Sequence, residues 1–413
     1  YIISNSEDIF SVLFVFGLFR WCGWKEEDIS FDIIPLFETM KGMSASEEVM
    51  QTLFDTPMYR KHLERRKDVH TIMLGFSDGT KDGGYLKANW SILKTKETLS
   101  KVCKKNGVTA IFFDGRGGPP ARGGGKTHRF YAAQTKDVAN HEIQLTIQGQ
   151  TITSTYGTKE QFIHNSEQLL TAGLSNNLFG KEIVISAAQR KLIEQLSERS
   201  FAKYDALKQH EKFIPYLEHR STLKYYTKAN IGSRPGKRGN KKQLELSDLR
   251  AISFVGSWSQ LKQNVPGYFG IGTAIQELND KGKLSEVKKL YKEVPFFRAL
   301  MHNSMMSLAK TNFSLTSYMK EDEEFGPFWN ILHDEYMLSK KWLLKISGYS
   351  ILMEDEAVSR ESVTIREKIV LPLLVIQQNA LFHISQESEF KELYAKIVTR
   401  SLYGNINASR NSA

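Results

Sequence analysis

The sequence predicts a mostly α-helical chain in two parts. Residues 1–270 carry a (β/α), TIM-like barrel portion, and residues 271–413 form an all-helical bundle. Three observations point there. Short apolar runs alternate with helix-like segments through the first part, the pattern of parallel strands joined by helical crossovers. Charged residues fall just past the ends of those runs: Glu38, Asp78 with Lys81, and Asp114 with a glycine-rich loop. In a barrel the C-terminal strand ends share one face, and that face carries the site. After about Gly270 the strand signals fade and long helical spacing takes over, as in Leu284 to Leu300 and Phe325 to Ile346.

Taken in order, Ile9 to Trp24 is the most apolar run. It falls short of the ~18–20 residues of a membrane span and contains Arg20, so a buried helix is expected. No basic segment precedes it, as a signal peptide requires. Ile29 to Phe37 reads as extended and ends at Glu38. Ser44 and Glu47 form an S-x-x-E capping box that opens a helix to about Arg66. Thr71 to Phe76 is a short strand ending in Ser77 to Asp82. Tyr85 to Lys105 is helical, with Asn106-Gly107 as its stop. Val108 to Phe113 reads as a strand buried on both faces. Glu142 to Ile152 alternates as a further strand, Lys159 to His219 is helical with breaks, and Ala251 to Phe254 reads as one more strand. Glu321 to Glu324 marks a helix start.

With 413 residues, 41% hydrophobic and 25% charged, the composition is that of an ordinary globular protein. The net charge of +10 is spread along the chain, which fits a solvated basic surface better than a nucleic-acid face. Cys22 and Cys103 have no metal-type spacing and read as thiols in a reducing compartment. A cytoplasmic protein without nucleic-acid or membrane partners is expected. The chain starts at Tyr1, in mid-pattern, and reads as a fragment of something longer.

The stretch Val108 to His128, VTAIFFDGRGGPPARGGGKTH, organises the rest. A buried strand delivers Asp114 and then a loop holding Arg116 and Arg122 among six glycines. Such backbone approaches an anion closely, and arginine offers a planar fork for phosphate or carboxylate. So many glycines are expected to hold few contacts of their own. Glu38 and Asp78 suit a hard cation, Mg²⁺ or Mn²⁺; the alternative is a pair of cap or loop carboxylates. Lys81, three residues past Asp78, is either a surface lysine or a group that neutralises an oxyanion. Arg234 and Arg250 bracket a basic loop, and Arg250 opens an apolar run. The single glycine–arginine tract, welded to a buried strand, is a poor RNA-binding box. The loop lacks the P-loop spacing, and no Ser/His/Asp or Cys/His arrangement stands out. His128 is read as a capping or packing residue.

These residues match a family. FDGRGGPPARGGGKTH resembles the glycine-rich loop of phosphoenolpyruvate carboxylase, usually F-H-G-R-G-G-x-x-G-R-G-G-G-P. LGFSDGTKDGG, PLFET, IQGQTI, GSRPGKR followed by LRAISFVGSWSQ, and the terminal NINASRNSA resemble further segments of that family, in its order. The resemblance spans the chain and implies roughly the C-terminal half of a full-length enzyme. It implies anaplerotic carboxylation of phosphoenolpyruvate by bicarbonate to oxaloacetate and phosphate, through carboxyphosphate and an enolate held by a divalent metal. It implies Glu38 and Asp78 as metal ligands, and Lys81, Arg116 and Arg122 as catalytic groups. Arg234, Arg250 and Asp114 fall at its substrate-binding positions. It further implies an inhibitor site for aspartate or malate at Lys310, Arg366, Asn411 and Arg122, and a homotetramer.

Departures stand in the same loop. Asp114 replaces the usual histidine, Ala121 a glycine, and Lys126 a proline. Lys126 is expected to offset the charge of Asp114. The family's catalytic histidine belongs to its N-terminal half, which these residues do not include, so the chain alone is expected to be inactive. The alternative is a non-catalytic, metabolite-binding relative that lost activity through Asp114.

Overall fold

The computed structural model describes residues 1–139, 142–147, 149–178, 182–226, 244–386 and 388–409. Its N-terminal part runs β1 (Ile2–Ile3), α1 (Phe10–Trp21), β2 (Ile34–Phe37), α2 (Met40–Asp55), α3 (Pro57–Arg65), β3 (Val69–Gly75), α4 (Phe76–Lys105), β4 (Thr109–Gly115), α5 (Thr127–Ala132) and β5 (Ile143–Leu145). Helices α6 (Gly149–Tyr156), α7 (Lys159–Leu178), α8 (Ala187–Lys208), α9 (Phe213–Arg220), α10 (Leu223–Tyr226) and α11 (Ala251–Gln260) follow. The last part holds α12 (Ile271–Asp280), α13 (Leu284–Glu293), α14 (Pro295–Ala309), α15 (Gly326–Ser347), α16 (Ala357–Ser385) and α17 (Lys391–Ser409). The described residues are thus mostly helical, and the strands among them form one sheet.

All four strand pairings are parallel and the order is β1-β2-β3-β4-β5. Each crossover is helical, so every strand ends at the same edge. Register fixes what meets there: Phe37 opposes Leu74, Gly75 opposes Gly115, and Asp114 opposes Leu145. β3 and β4 are buried along most of their length, the reason their apolar runs are near-continuous.

Several expectations are corrected. The capping box at Ser44 lies inside α2. Thr39 caps that helix instead, its hydroxyl accepting from the Gly42 N–H at 2.9 Å. Ala251 to Phe254 is the start of α11, not a strand. Nearly every residue of α11 is buried, and a helix buried all round reads like a buried strand. The strand expected over Glu142 to Ile152 is only the three residues of β5, and α6 begins at Gly149. Ser77 to Asp82 are the first turns of α4, which kinks at Gly84 (φ 74°). The apolar run at α1 is buried on one face alone. Val12 and Phe16 are enclosed, whereas Phe14 and Trp21 are 62% and 81% exposed. Among the described residues one helix, α16, is long and apolar enough to cross a membrane by length and composition.

Candidate active site

The strand ends and the first turns after them bring most of the singled-out residues together. Glu38 follows β2 directly. It can sit there because its neighbour across the sheet is Gly75: a Cβ on Gly75 would stand 2.3 Å from the Glu38 Cβ. Glu38 is 7% exposed, and its Oε1 accepts the Asn5 backbone N–H at 3.0 Å. Asp78 and Lys81 lie one turn apart in the first segment of α4, before the Gly84 kink. That spacing puts them on one helix face. The Lys81 ammonium is 3.8 Å from Asp78 Oδ1 and donates to the Leu249 carbonyl at 2.8 Å.

A cavity of about 310 Å³ is lined by Glu38, Asp78, Arg122 and Arg250, together with Tyr226. A second opening, of about 350 Å³, is bordered by Glu38, Asp78 and Lys81. The two carboxylates therefore form a wall common to both. Oxygen donors in such a pair fit a hard divalent cation. Arg122 sits in a short 3₁₀ turn, Pro120–Arg122, and is 6% exposed. Burial pulls its guanidinium down to about 10, against the opposing pull of Asp78. Its Nε has no hydrogen-bond partner among the described residues.

Arg116 and Asp114 are placed differently. Arg116 borders a separate cavity of about 410 Å³ with Lys126, His128 and His164. Its guanidinium turns back on its own loop: Nη2 donates to the Gly124 carbonyl at 3.0 Å, and Nη1 to Thr127 Oγ1 at 3.1 Å. It also stacks 4.5 Å from the Phe130 ring centroid. Asp114 is fully buried beneath the loop. Its Oδ2 accepts from Lys96 at 2.7 Å and from the Tyr131 hydroxyl at 2.8 Å. It does not line the Glu38/Asp78 cavity. Lys96, 2% exposed, stands over the rings of Phe112, Phe130 and Tyr131. Burial lowers the Lys96 ammonium's pKa, and Asp114 opposes that shift.

So Lys96, not Lys126, offsets the charge of Asp114. Lys126 pairs with Glu356 at 2.6 Å. Lys96 was missed because a lysine in mid-helix reads as a solvated one, although its spacing to Leu93, Leu99 and Cys103 puts it on the buried face of α4. The expectation that the loop holds few contacts is also overturned. Gly123, Gly124 and Gly125 each donate a backbone bond within the loop. A Cβ on Gly125 would meet Asn303 Oδ1 at 2.4 Å. Here glycine serves close packing as well as the positive φ of Gly123 (77°) and Gly125 (111°).

Lys310 ends α14 and is 9% exposed. Burial, with Lys262 and Arg366 nearby, pushes its ammonium down to about 8. Arg366 lies on α16. Arg234 and Asn411 fall outside the described residues.

A family model for phosphoenolpyruvate carboxylase matches residues 1–409. The chain belongs to the phosphoenolpyruvate carboxylase family. It is 33% identical over 392 residues to the phosphoenolpyruvate carboxylase of Corynebacterium glutamicum, covering 92% of this chain and 42% of that protein. With the enzyme of Corynebacterium diphtheriae it shares 30% over 423 residues, 100% of this chain and 46% of the relative. With that of Synechococcus sp. (strain WH7803) the identity is 32% over 394 residues, 91% and 39%. The chain thus spans less than half the length of the phosphoenolpyruvate carboxylases it matches.

Proposed function

We propose that the protein carrying this chain carboxylates phosphoenolpyruvate with bicarbonate, giving oxaloacetate and phosphate. The observation that supports it best is the convergence of Glu38, Asp78, Arg122 and Arg250 on one cavity with Lys81 beside it. The consecutive order of five parallel strands favours a (β/α) barrel portion, since a doubly wound sheet would reverse direction. In this reading, residues 1–270 are barrel and residues 271–413 a helical domain.

A bicarbonate oxygen attacks the phosphoryl phosphorus and the bond from phosphorus to the enol oxygen breaks. Carboxyphosphate and the enolate of pyruvate result. Carboxyphosphate loses CO₂ and leaves phosphate, and the enolate carbon takes up that CO₂. Every species except CO₂ is anionic, so the cations around the cavity carry the catalysis. Arg122 and Arg250 hold the phosphoryl group from two sides. Lys81, on the same helix face as Asp78, is set to meet charge on the enolate oxygen. Mg²⁺ or Mn²⁺ would be held by Glu38 and Asp78, and when bound would draw negative charge off the substrate's oxygens. Arg116 acts from the loop, and its bonds to the Gly124 and Gly125 carbonyls must loosen for it to reach the cavity. Arg234 belongs to the same anion-binding group. Lys310, Arg366, Asn411 and Arg122 are proposed to take aspartate or malate, with reciprocal coupling to catalysis. A homotetramer and the remaining half of a full-length enzyme complete the assembly. The relatives' length makes residues 1–413 alone inactive in this reading.

The non-catalytic alternative is a relative that lost activity through Asp114. The Lys96 pair supports the catalytic reading over it, because Asp114 has its counter-ion below the loop. A coupled oxaloacetate assay with Mg²⁺ and bicarbonate on the full-length protein tests the proposal. Arg122→Gln is expected to lower kcat by about 10²–10³-fold. A full-length protein that forms no oxaloacetate overturns the proposal, and turnover by residues 1–413 alone overturns their inactivity.

A further inference from the structure

Four elements meet at one carboxylate outside the cavity. Glu356 is the residue before α16, and its side chain is 4% exposed. Lys126, at the end of the glycine-rich loop, pairs with its Oε2 at 2.6 Å. Arg129, in the first turn of α5, pairs with its Oε1 at 2.5 Å. The same Arg129 Nη1 stands 3.0 Å from His302 Nδ1 on α14. Tyr291 of α13 closes the cluster, its hydroxyl 2.6 Å from His302 Nε2. His302 Nδ1 also stands 3.4 Å from Glu356 Oε1, so it faces the Arg129 donor and the Glu356 acceptor together.

His302, Asp355 and Glu356 also have the spacing of a metal site, their ligand atoms lying within 4.8 Å of one another. Two observations argue against a cation there. Both Glu356 oxygens already face a cationic side chain, and the partners hold the Glu356 carboxyl down at about 2. A third positive charge would have to displace Lys126 and Arg129 first.

What the carboxylate fixes is the loop. Lys126 and Arg129 flank Thr127, and Arg116 is gripped by Gly124, Gly125 and Thr127. The segment that holds Arg116 is therefore itself held by Glu356. We propose that Glu356 is a positioning residue for the glycine-rich loop, a latch that sets where Arg116 rests and how readily it is released. This deepens the carboxylase reading, in which Arg116 is a catalytic group. The latch depends on Lys126, which stands where related loops usually have proline, a residue that cannot form the pair.

Hydrogen exchange of residues 117–129 in the full-length protein reads the latch without any turnover. Glu356→Gln keeps the shape and removes the charge; it is expected to speed exchange there by about tenfold or more. Glu356→Asp should recover most of the protection, and Lys126→Ala should lose a smaller part. Lys126 is more exposed than Glu356, so its variant carries the test if Glu356→Gln does not fold. In the oxaloacetate assay, Glu356→Gln should change kcat several-fold while KM for phosphoenolpyruvate moves less than twofold. Unchanged exchange in both variants overturns the latch. So does loss of one bound Mn²⁺ in Glu356→Gln, which would make the cluster a metal site. If exchange responds while the wild-type protein forms no oxaloacetate, the latch stands and the carboxylase reading falls.

Discussion

Replacing Lys96 by methionine keeps the length of the side chain and removes its charge. In the folded protein this leaves Asp114 fully buried, with only the Tyr131 hydroxyl on Oδ2 and no partner on Oδ1 among the described residues. Breaking one side of a buried pair costs about 3–5 kcal/mol. The reverse change, Asp114→Asn, leaves Lys96 among three aromatic rings without its counter-ion. Lys96 then has an escape: it can lose its proton. At pH 7 that costs at most about 1.4 kcal/mol for each of ~3.5 pH units below the ordinary lysine value, or about 5 kcal/mol. The ring contacts, each about 0.5–2 kcal/mol, reduce the incentive to escape. The double variant has neither charge to bury, and is expected to be within about 1–2 kcal/mol of wild type. Urea unfolding of the four proteins at pH 7 gives the cycle. A coupling energy near 3 kcal/mol or more is expected; single changes that add to the double within about 0.5 kcal/mol refute the pairing.

Gly75→Ala should displace Glu38, since the new Cβ would stand 2.3 Å from the Glu38 Cβ. A loss of about 10–100-fold in Mn²⁺ affinity is expected by electron paramagnetic resonance, and unchanged affinity removes Glu38 from the ligand set. If Lys310 belongs to the proposed effector site, aspartate binding there should depend on pH. The folded value of Lys310, about 8, lies below its ordinary value of 10.5, so the ammonium is present below pH 8 and lost as pH rises through it. Aspartate affinity measured by calorimetry should therefore fall above pH 8, approaching tenfold per unit; a flat profile from pH 7 to 9.5 excludes Lys310 as the cation. The same shift costs stability in full below pH 8, and that cost is relieved as pH rises from 8 to 10.5.

Much of the site was legible because parallel strands deliver their next residues to one edge. Glu38, Asp78 and Arg122, which line one cavity, were singled out by position alone, before any resemblance; Arg116, singled out with them, borders a separate one. The strands themselves were legible where both faces are buried, as in β3 and β4. Elements failed where burial erased periodicity. The continuous apolar start of α11 read as a strand, and the exposed half of α1 read as core. The partners of Asp114 and Lys126 were hidden for another reason. Lys96 lies on the preceding helix and Glu356 lies 230 positions from Lys126, so only the folded chain brings them together. Sequence spacing records neighbours within an element, while these two ion pairs join different ones.

The contact between Gly75 and Glu38 ties folding accuracy to chemistry. A slip of β3 by one residue would bring Leu74 or Phe76, each with a full side chain, into the gap that Gly75 leaves open. Glu38 would then be pushed off the wall it shares with Asp78. The candidate ligand thus acts as a proofreader of strand register. A chain paired one step out of place could bury its apolar residues in part, but it would assemble no two-carboxylate site.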